Sequence, residues 1–165
     1  MRIDTLEDLY IEQLKDLYSA NTQALDVTKA LGQVARNRRL VHALRAGVGN
    51  ISEGIATLEN IAVGHEEEIM GTHCEGMEGL VKDARAQALE EFIGEETTKD
   101  AMIIIQYQRL AHYAIAGYAS LVAFADHLEL DQDLMALKIC LAASHDDDHT
   151  MMRLATDNIN EQARH

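Results

Sequence analysis

The sequence predicts an all-α fold, a four-helix bundle with one crossover connection that carries a short extra helix. Three observations carry this expectation. The 165 residues include no proline and no tryptophan, and aromatics make up 4% of a chain that is 47% hydrophobic, a mix rich in Ala, Leu, Ile and Met that favours helix over strand. Apolar residues recur at spacings of three and four along four long stretches. Between the second and third of these, glycines and a charge run break the period. One domain, residues 1–165, is expected, with about two thirds of the unfolded surface buried and no disulfide or metal needed for stability.

Asp4 and Thr5, followed by Glu7 and Asp8, resemble a capping box and start the first helix. Its stripe, through Leu9, Tyr10, Leu14, Leu17, Tyr18 and Leu31, carries it to about residue 35. A second stripe, Leu40, Leu44, Val48, Ile51, Ile55, Leu58 and Ile61, fades near Gly64. HEEEIMGTHCEGMEG, residues 65–79, then interrupts the pattern, and Met77, Leu80, Val81, Ala84 and Ala88 suggest a short connecting helix. The third long helix begins near Glu95 or Thr97 and runs to about His127, with Met102, Ile105, Leu110, Tyr113, Ala114, Gly117 and Leu121 on its inner side. Asp131 restarts the chain, Asp133 follows where acids favour a helix N-terminus, and Leu134, Leu137, Leu141 and Met152 extend the pattern toward residue 160. Four long helices with the longer link between the second and third make the ferritin-like connectivity. Glycine in a helix interior costs about 1 kcal/mol relative to Ala, so Gly47, Gly49 and Gly54, close together in the second helix, call for a reason of packing or function.

The formal charge of -14 repels phosphate backbones and excludes nucleic acid as an expected partner. Arg36, Arg38, Arg39 and Arg45 form the one basic cluster, read as complementing the negative end of a helix dipole. Cys74 and Cys140 read as reduced, unbridged thiols. MRIDTLEDLY lacks the apolar core of a secretory signal and no run approaches the roughly 20 apolar residues of a membrane span, so a cytoplasmic protein without a membrane partner is expected.

In SHDDDHT, residues 144–150, His145 and His149 lie four apart on one helical face beside Asp146 and Asp148. That spacing suits zinc, nickel or copper and makes His145, Asp148 and His149 the candidate metal ligands; the competing reading is a solvated acidic face. His65 with Glu66, Glu67 and Glu68, and His73 with Cys74, form a looser cluster read as solvated. His112, with small neighbours, could be a haem or metal ligand if it faced inward, but it reads as a hydrogen-bonded structural histidine, since it lies roughly 100° around the helix from Ala111 and the two cannot both point at the bundle axis. No Ser-His-Asp order, Gly-rich phosphate loop or Cys-x-x-Cys motif supports catalysis.

Three segments carry a family resemblance. TLEDLYIEQLKDLYSANTQ opens the chain, CEGMEGLVKD spans residues 74–83, and the stretch from Asp100 to Leu121 contains an HYxIAxY core. Together they resemble the YciE/YciF family of stress-associated bacterial proteins. The resemblance implies a fold like that of di-iron carboxylate proteins, whose metals are held by inward Glu and His on four helices. Family members typically carry Glu where this chain has Asn21, and the second-helix acids fall near Gly49 and Asn50. The acids flanking HY become Ala111 and Ala114, and those of the fourth helix become Ala143 and Ser144. The resemblance therefore implies a non-enzymatic structural, stress-associated protein with a degenerate dinuclear metal site and no cofactor. The alternatives are a protein that binds iron, manganese or zinc at a relocated site, or a carrier of a small apolar ligand in a cavity among Gly47, Gly49, Ala111, Ala114, Ala142 and Ala143. A homodimer or larger homo-oligomer is expected, since bundles with Met-rich and small-residue faces often pair.

Overall fold

The computed structural model describes residues 3–163, with the side chains of Asn158 and Glu161 excepted. Helix α1, Leu6–Val34, opens with the expected capping box: the Asp8 N–H donates to Thr5 Oγ1 at 3.1 Å and the Thr5 N–H donates to Asp8 Oδ2 at 2.9 Å. A turn over residues 35–37 follows, and the Asn37 side chain accepts from the Arg39 and Leu40 N–H groups to start α2, Arg38–Gly64. The connection over 65–95 carries α3, Glu75–Ala84, which widens into a π-helical turn, Arg85–Glu90. Helix α4 is Glu96–His127. Glu129 takes a left-handed conformation, φ 56°, to turn the chain into α5, Asp131–Leu154, which continues through a π-helical turn to Gln162. Among the described residues there is no strand.

Helix α1 packs on α2 and α4, and α5 packs on α4 and α2, so α2 and α4 face each other across the diagonal. Tyr10 near the start of α1 meets Asp133 near the start of α5, whereas Asp100 near the start of α4 meets the α1–α2 turn. The chain thus runs up α1 and down α2, crosses back along the bundle through α3, and runs down α4 and up α5. This is the all-α bundle with a crossover that the period and the broken link predicted. No helix among the described residues is long and apolar enough to cross a membrane.

Two apolar layers hold the bundle. One joins Leu14, Leu17, Leu58, Leu110, Leu121 and Leu137. The other joins Leu31, Leu40, Leu44, Ile103, Ile104 and Met151 at the opposite end. Ile105 and Met152, expected inside, are exposed. The inward line of α4 passes through Ile103, Tyr107, Leu110, Tyr118 and Leu121, which leaves Ile105 about 200° around the helix from Ile103. Helix α4 is apolar on much of its circumference, so its period did not decide its rotation.

The basic cluster also differs from its expected role. Arg38 and Arg39 open α2, at the positive end of its dipole, and the first turn of α2 contains no acid. Arg36 alone sits just past the end of α1, with its Nε 3.7 Å from Glu96.

The tie between hairpins is Asp100. Only 3% exposed, its carboxylate accepts the Arg36 N–H at 2.9 Å and the Asn37 N–H at 2.8 Å. Removing it takes away the acceptor of two backbone donors in the α1–α2 turn. Asp100→Ala should cost about 2–4 kcal/mol in chemical denaturation, from two hydrogen bonds to a charged acceptor and the donors left unpaired. A loss under about 0.5 kcal/mol would mean that solvent satisfies the turn.

Candidate functional site

Four helices send short or neutral side chains to one point at mid-bundle. From α4 come Tyr107, Ala111, Ala114 and Tyr118, at spacings of four, three and four; from α5 come Cys140, Ser144 and Asp147; α1 adds Asn21 and Ala24, and α2 adds Asn50 and Ile51. They enclose a cavity of about 30 Å³. That is space for a water molecule or two and far below the roughly 300 Å³ at which small-molecule pockets begin, so an apolar cargo does not fit. Asn21, Asn50, Ala111, Ala114 and Ser144 all line it. Gly49 and Ala143 do not. One residue is 100° of helix, which turns Gly49 to the exposed face of α2 and Ala143 to the flank of α5.

The polar atoms here are paired among themselves. Asn21 Nδ2 donates to Tyr118 Oη at 2.8 Å, and the Tyr118 hydroxyl in turn reaches the Cys140 thiol. Asn50 Nδ2 straddles the Asp147 carboxylate at 2.9 and 3.1 Å, and Tyr107 Oη donates to Asp147 Oδ2 at 3.4 Å. Ser144 Oγ donates to the Cys140 carbonyl. Among the described residues no buried side-chain nitrogen or oxygen lacks a partner. Asp147 is the one carboxylate lining the cavity. Burial pushes its pKa above the ordinary 3.8, against the pull of Asn50 and Tyr107. Burial also raises the hydroxyls of Tyr107 and Tyr118 well above the usual phenol range, so both are protonated donors at neutral pH.

The tyrosines explain two of the three glycines clustered in the middle of α2, Gly47, Gly49 and Gly54. A Cβ on Gly47 would collide with Tyr107 Oη and stand 3.0 Å from its Cζ. One on Gly54 would collide with Tyr118 Oη, though Cζ lies at 3.5 Å. Each ring therefore crosses the diagonal from α4 and rests its hydroxyl on bare α2 backbone. A third ring repeats the arrangement outside the centre. Tyr113 lies on Gly76 of α3, where a Cβ would meet the ring edge at 2.9 Å, and its hydroxyl reaches Cys74 Sγ at 3.0 Å. The Cys74 N–H donates to Ser19 Oγ, and Gln23 Nε2 donates to the Cys74 carbonyl. The CEGMEG segment is thus the seat by which the crossover helix docks on α1 and α4. Gly49 has no such neighbour: nothing lies within 4 Å of its Cβ position.

The remaining candidates lie elsewhere. His145 and His149 are exposed, while Asp148 is 6% exposed and turned inward, where Gln108 Nε2 donates to it at 3.2 Å and His112 Nε2 lies at 3.0 Å. The acidic run is therefore only partly a solvated face: His145, Asp146 and His149 are exposed, whereas Asp148 is buried and Asp147 is partly buried. His112 is paired with Asp148 and 62% exposed, turned away from the bundle axis. His65 contacts Asp133 at 2.7 Å and Glu67 pairs with Lys15, so part of the cluster read as solvated is a set of ties between elements. Both cysteines are free, buried and raised in pKa chiefly by burial. Among the described residues no group of three or more His, Cys, Asp or Glu could hold a metal ion.

Comparison with known proteins places this geometry. The profile of a family described as a domain of unknown function, DUF892, matches residues 5–164. The chain is 30% identical to Protein YciF of Escherichia coli (strain K12) over 167 aligned residues, 99% of this chain and 98% of the relative. The crystal structure of the E. coli stress protein YciF superposes with a TM-score of 0.87 at 28% identity, covering 96% of this chain and 99% of that one. YcfI from Rhodopseudomonas palustris, provisionally described as a structural protein, gives 0.85 at 29% identity over 91% and 94%.

The glycine seats give a graded expectation. Gly49→Ala should stabilise the protein by about 0.5–1 kcal/mol in denaturant titration, through helix propensity in open space. Gly47→Ala and Gly54→Ala should each cost about 1–3 kcal/mol through overpacking. Adding Tyr118→Phe should relieve the steric part of Gly54→Ala, because the remaining ring atom keeps ordinary contact, whereas Tyr107→Phe should relieve Gly47→Ala only in part. Equal behaviour of all three glycines would refute the seating.

Asp147 supplies a pH dependence. Its folded pKa is raised, so its contribution is favourable below the unfolded value of 3.8 and is lost as pH rises through the folded one. Asp147→Asn should therefore raise the melting temperature at pH 7, and the gain should vanish below about pH 4 as the parent aspartate takes up its proton. An advantage independent of pH would assign the effect to packing.

Proposed function

The chain belongs to the DUF892 family, and on that premise we propose that it is a non-catalytic structural protein of the YciE/YciF type, stress-associated and cytoplasmic, whose ferritin-like centre has lost its dinuclear metal site. The observation that carries this reading is the donor set around the central cavity. Asn21, Asn50, Ala111, Ala114 and Ser144 converge there from four helices, and Asp147 is the single carboxylate among the lining residues. A dinuclear iron or manganese site needs several hard oxygen ligands and histidines projecting inward together. One carboxylate engaged by an amide and a phenol does not fit that requirement, and no step of a reaction is derived through a metal here.

The relatives support the class of role. YciF is named a stress protein and YcfI is described as structural. Two buried free thiols with raised pKa fit a reducing compartment. The relocated-metal reading at His145, Asp148 and His149 has less support, because Asp148 is committed to Gln108 and His112.

Restoring carboxylates tests the reading. Glu in place of Asn21, Ala111, Ala114 and Ser144 together would crowd like charges around a cavity of about 30 Å³ and should lower the melting temperature without metal. Binding to the folded state alone stabilises by about 2.7 kcal/mol at a hundredfold excess over Kd, so iron or manganese should raise the melting temperature of this variant and leave the parent nearly unchanged. Equal metal responses, or near-stoichiometric metal retained by the untagged parent after mild chelation, would overturn the proposal.

A further inference from the structure

Where α2 begins and α5 ends, a cleft of about 650 Å³ opens on the outside of the bundle, inside the range of roughly 300 to 1,000 Å³ that small-molecule sites occupy. Arg38, Arg39 and His42 of α2 and Thr150 and Arg153 of α5 form its walls. Ala43, Ala46 and Leu154 form an apolar floor, and two carboxylates, Asp147 and Asp157, complete the lining. Three arginines against two aspartates leave the cleft net positive in a chain that carries -14. None of the three guanidinium groups has an ion-pair partner among the described residues, although they converge from two helices on one concavity. Arg38 and Arg39 also stand against the local field, since they open α2 at the positive end of its dipole and its first turn contains no acid. The backbone donors of that turn are already used, because Asn37 Oδ1 accepts the Arg39 and Leu40 N–H groups. What the side chains of the cleft lack is an anion.

The inner end has a different character. Asn50 faces Asp147, which puts Asp147 and Thr150 toward mid-bundle and Arg38, Arg39 and Asp157 toward the bundle end, with Arg153 between them. An ionised carboxylate has about four acceptor positions, and the contacts from Asn50 and Tyr107 occupy three of those on Asp147. Thr150 gives its proton to the Asp146 carbonyl and keeps its lone pairs. The inner end therefore accepts hydrogen bonds where the outer end supplies cations. We propose that this cleft binds a small hydroxylated phosphate ester, of the size of a sugar phosphate, whose phosphate is held by Arg38, Arg39 and Arg153 and whose hydroxyl donates to Asp147 and Thr150. Guanidinium forks match phosphate oxygens in pairs. The carbon skeleton lies over the apolar floor. Bare phosphate would leave that floor and the inner end unused, and a polycarboxylate would set a second anionic group against Asp147. Asp157, exposed at the outer end, opposes the phosphate and limits the affinity. The inference adds a ligand to the structural role and is independent of what the bundle centre holds.

Isothermal titration calorimetry on the full chain at fixed ionic strength tests it, with glucose 6-phosphate, ribose 5-phosphate and glycerol 3-phosphate as probes. At least one of them should bind one site per chain, about tenfold or more tighter than inorganic phosphate and citrate, and glucose and ribose should not bind. Arg39→Ala and Arg153→Ala should each weaken that binding at least about tenfold, as loss of a hydrogen-bonded charge does, with unchanged helical circular dichroism because both side chains are exposed. Asp157→Asn should tighten it. Thr150→Val should narrow the gap between the ester and inorganic phosphate. No binding of any of the three esters at millimolar concentration overturns the proposal. So does inorganic phosphate or citrate binding as tightly as the best ester, or ester binding that is indifferent to both arginine substitutions. A failed metal-rescue experiment would leave these outcomes unaffected.

Discussion

Three tyrosine rings of α4, each laid over a glycine of another element, set how closely this bundle closes. Tyr107 on Gly47 and Tyr118 on Gly54 span the diagonal from α4 to α2, and Tyr113 on Gly76 holds the crossover helix. A phenol is long enough to cross the interior of a four-helix bundle, but its hydroxyl then arrives at the far helix and needs both room and a hydrogen-bond partner. Glycine provides the room. The partner comes from a third helix each time: Asn21 of α1 for Tyr118, Asp147 of α5 for Tyr107, and Asp16 of α1, 3.5 Å away, beside Cys74 for Tyr113. The rings therefore couple the spacing of one helix pair to the rotation of another, and the two apolar layers close above and below them.

This arrangement changes what the middle of the bundle requires. A cluster of ionised carboxylates in that position would be held apart by its own repulsion unless a cation lay among them. Amide, phenol, thiol and hydroxyl groups impose no such condition and can satisfy one another, as the absence of unpaired buried polar atoms among the described residues reflects. Asp147 is the exception, and its location explains its tolerance. It lines both the central cavity and the outer cleft between α2 and α5, so its carboxylate is only half-buried while it accepts from Asn50 and Tyr107.

The element order, the capping box at Thr5 and Asp8 and the crossover with its short helix were legible because each leaves a local mark: a hydrogen-bonding side chain at a helix start, a repeating apolar position, a glycine-rich interruption. The convergence of Asn21, Asn50, Ala111, Ala114 and Ser144 was legible only through resemblance, since nothing in the composition of these residues marks them as neighbours. The rotation of α4 was not legible, and Ile105 was placed inside in error, because a helix apolar on several sides offers no contrast for the period to detect. Asp147 and the tyrosine seats were missed for a different reason. Charge suggested solvent for SHDDDHT, whereas burial of Asp147 and Asp148 depends on partners from α2 and α4 that local sequence does not reveal. The spacing of Tyr107, Ala111, Ala114 and Tyr118, read beside that of Cys140, Ser144 and Asp147, was the available signal.

The short turns over residues 35–37 and 128–130 bear on how the chain reaches this structure. Each joins two long antiparallel helices, so most contacts within a hairpin form between residues brought together by closing a small loop, which is fast. The meeting of the hairpins is the non-local event. It cannot be completed until the connection over 65–95 spans the length of the bundle and Asp100 finds the turn it caps. The chain has no proline, so no prolyl isomerisation delays any of these stages. Refolding should be governed by the search of one preformed hairpin for the other, with the connection acting as a tether that favours their intramolecular encounter while the protein concentration stays below the effective concentration it sets.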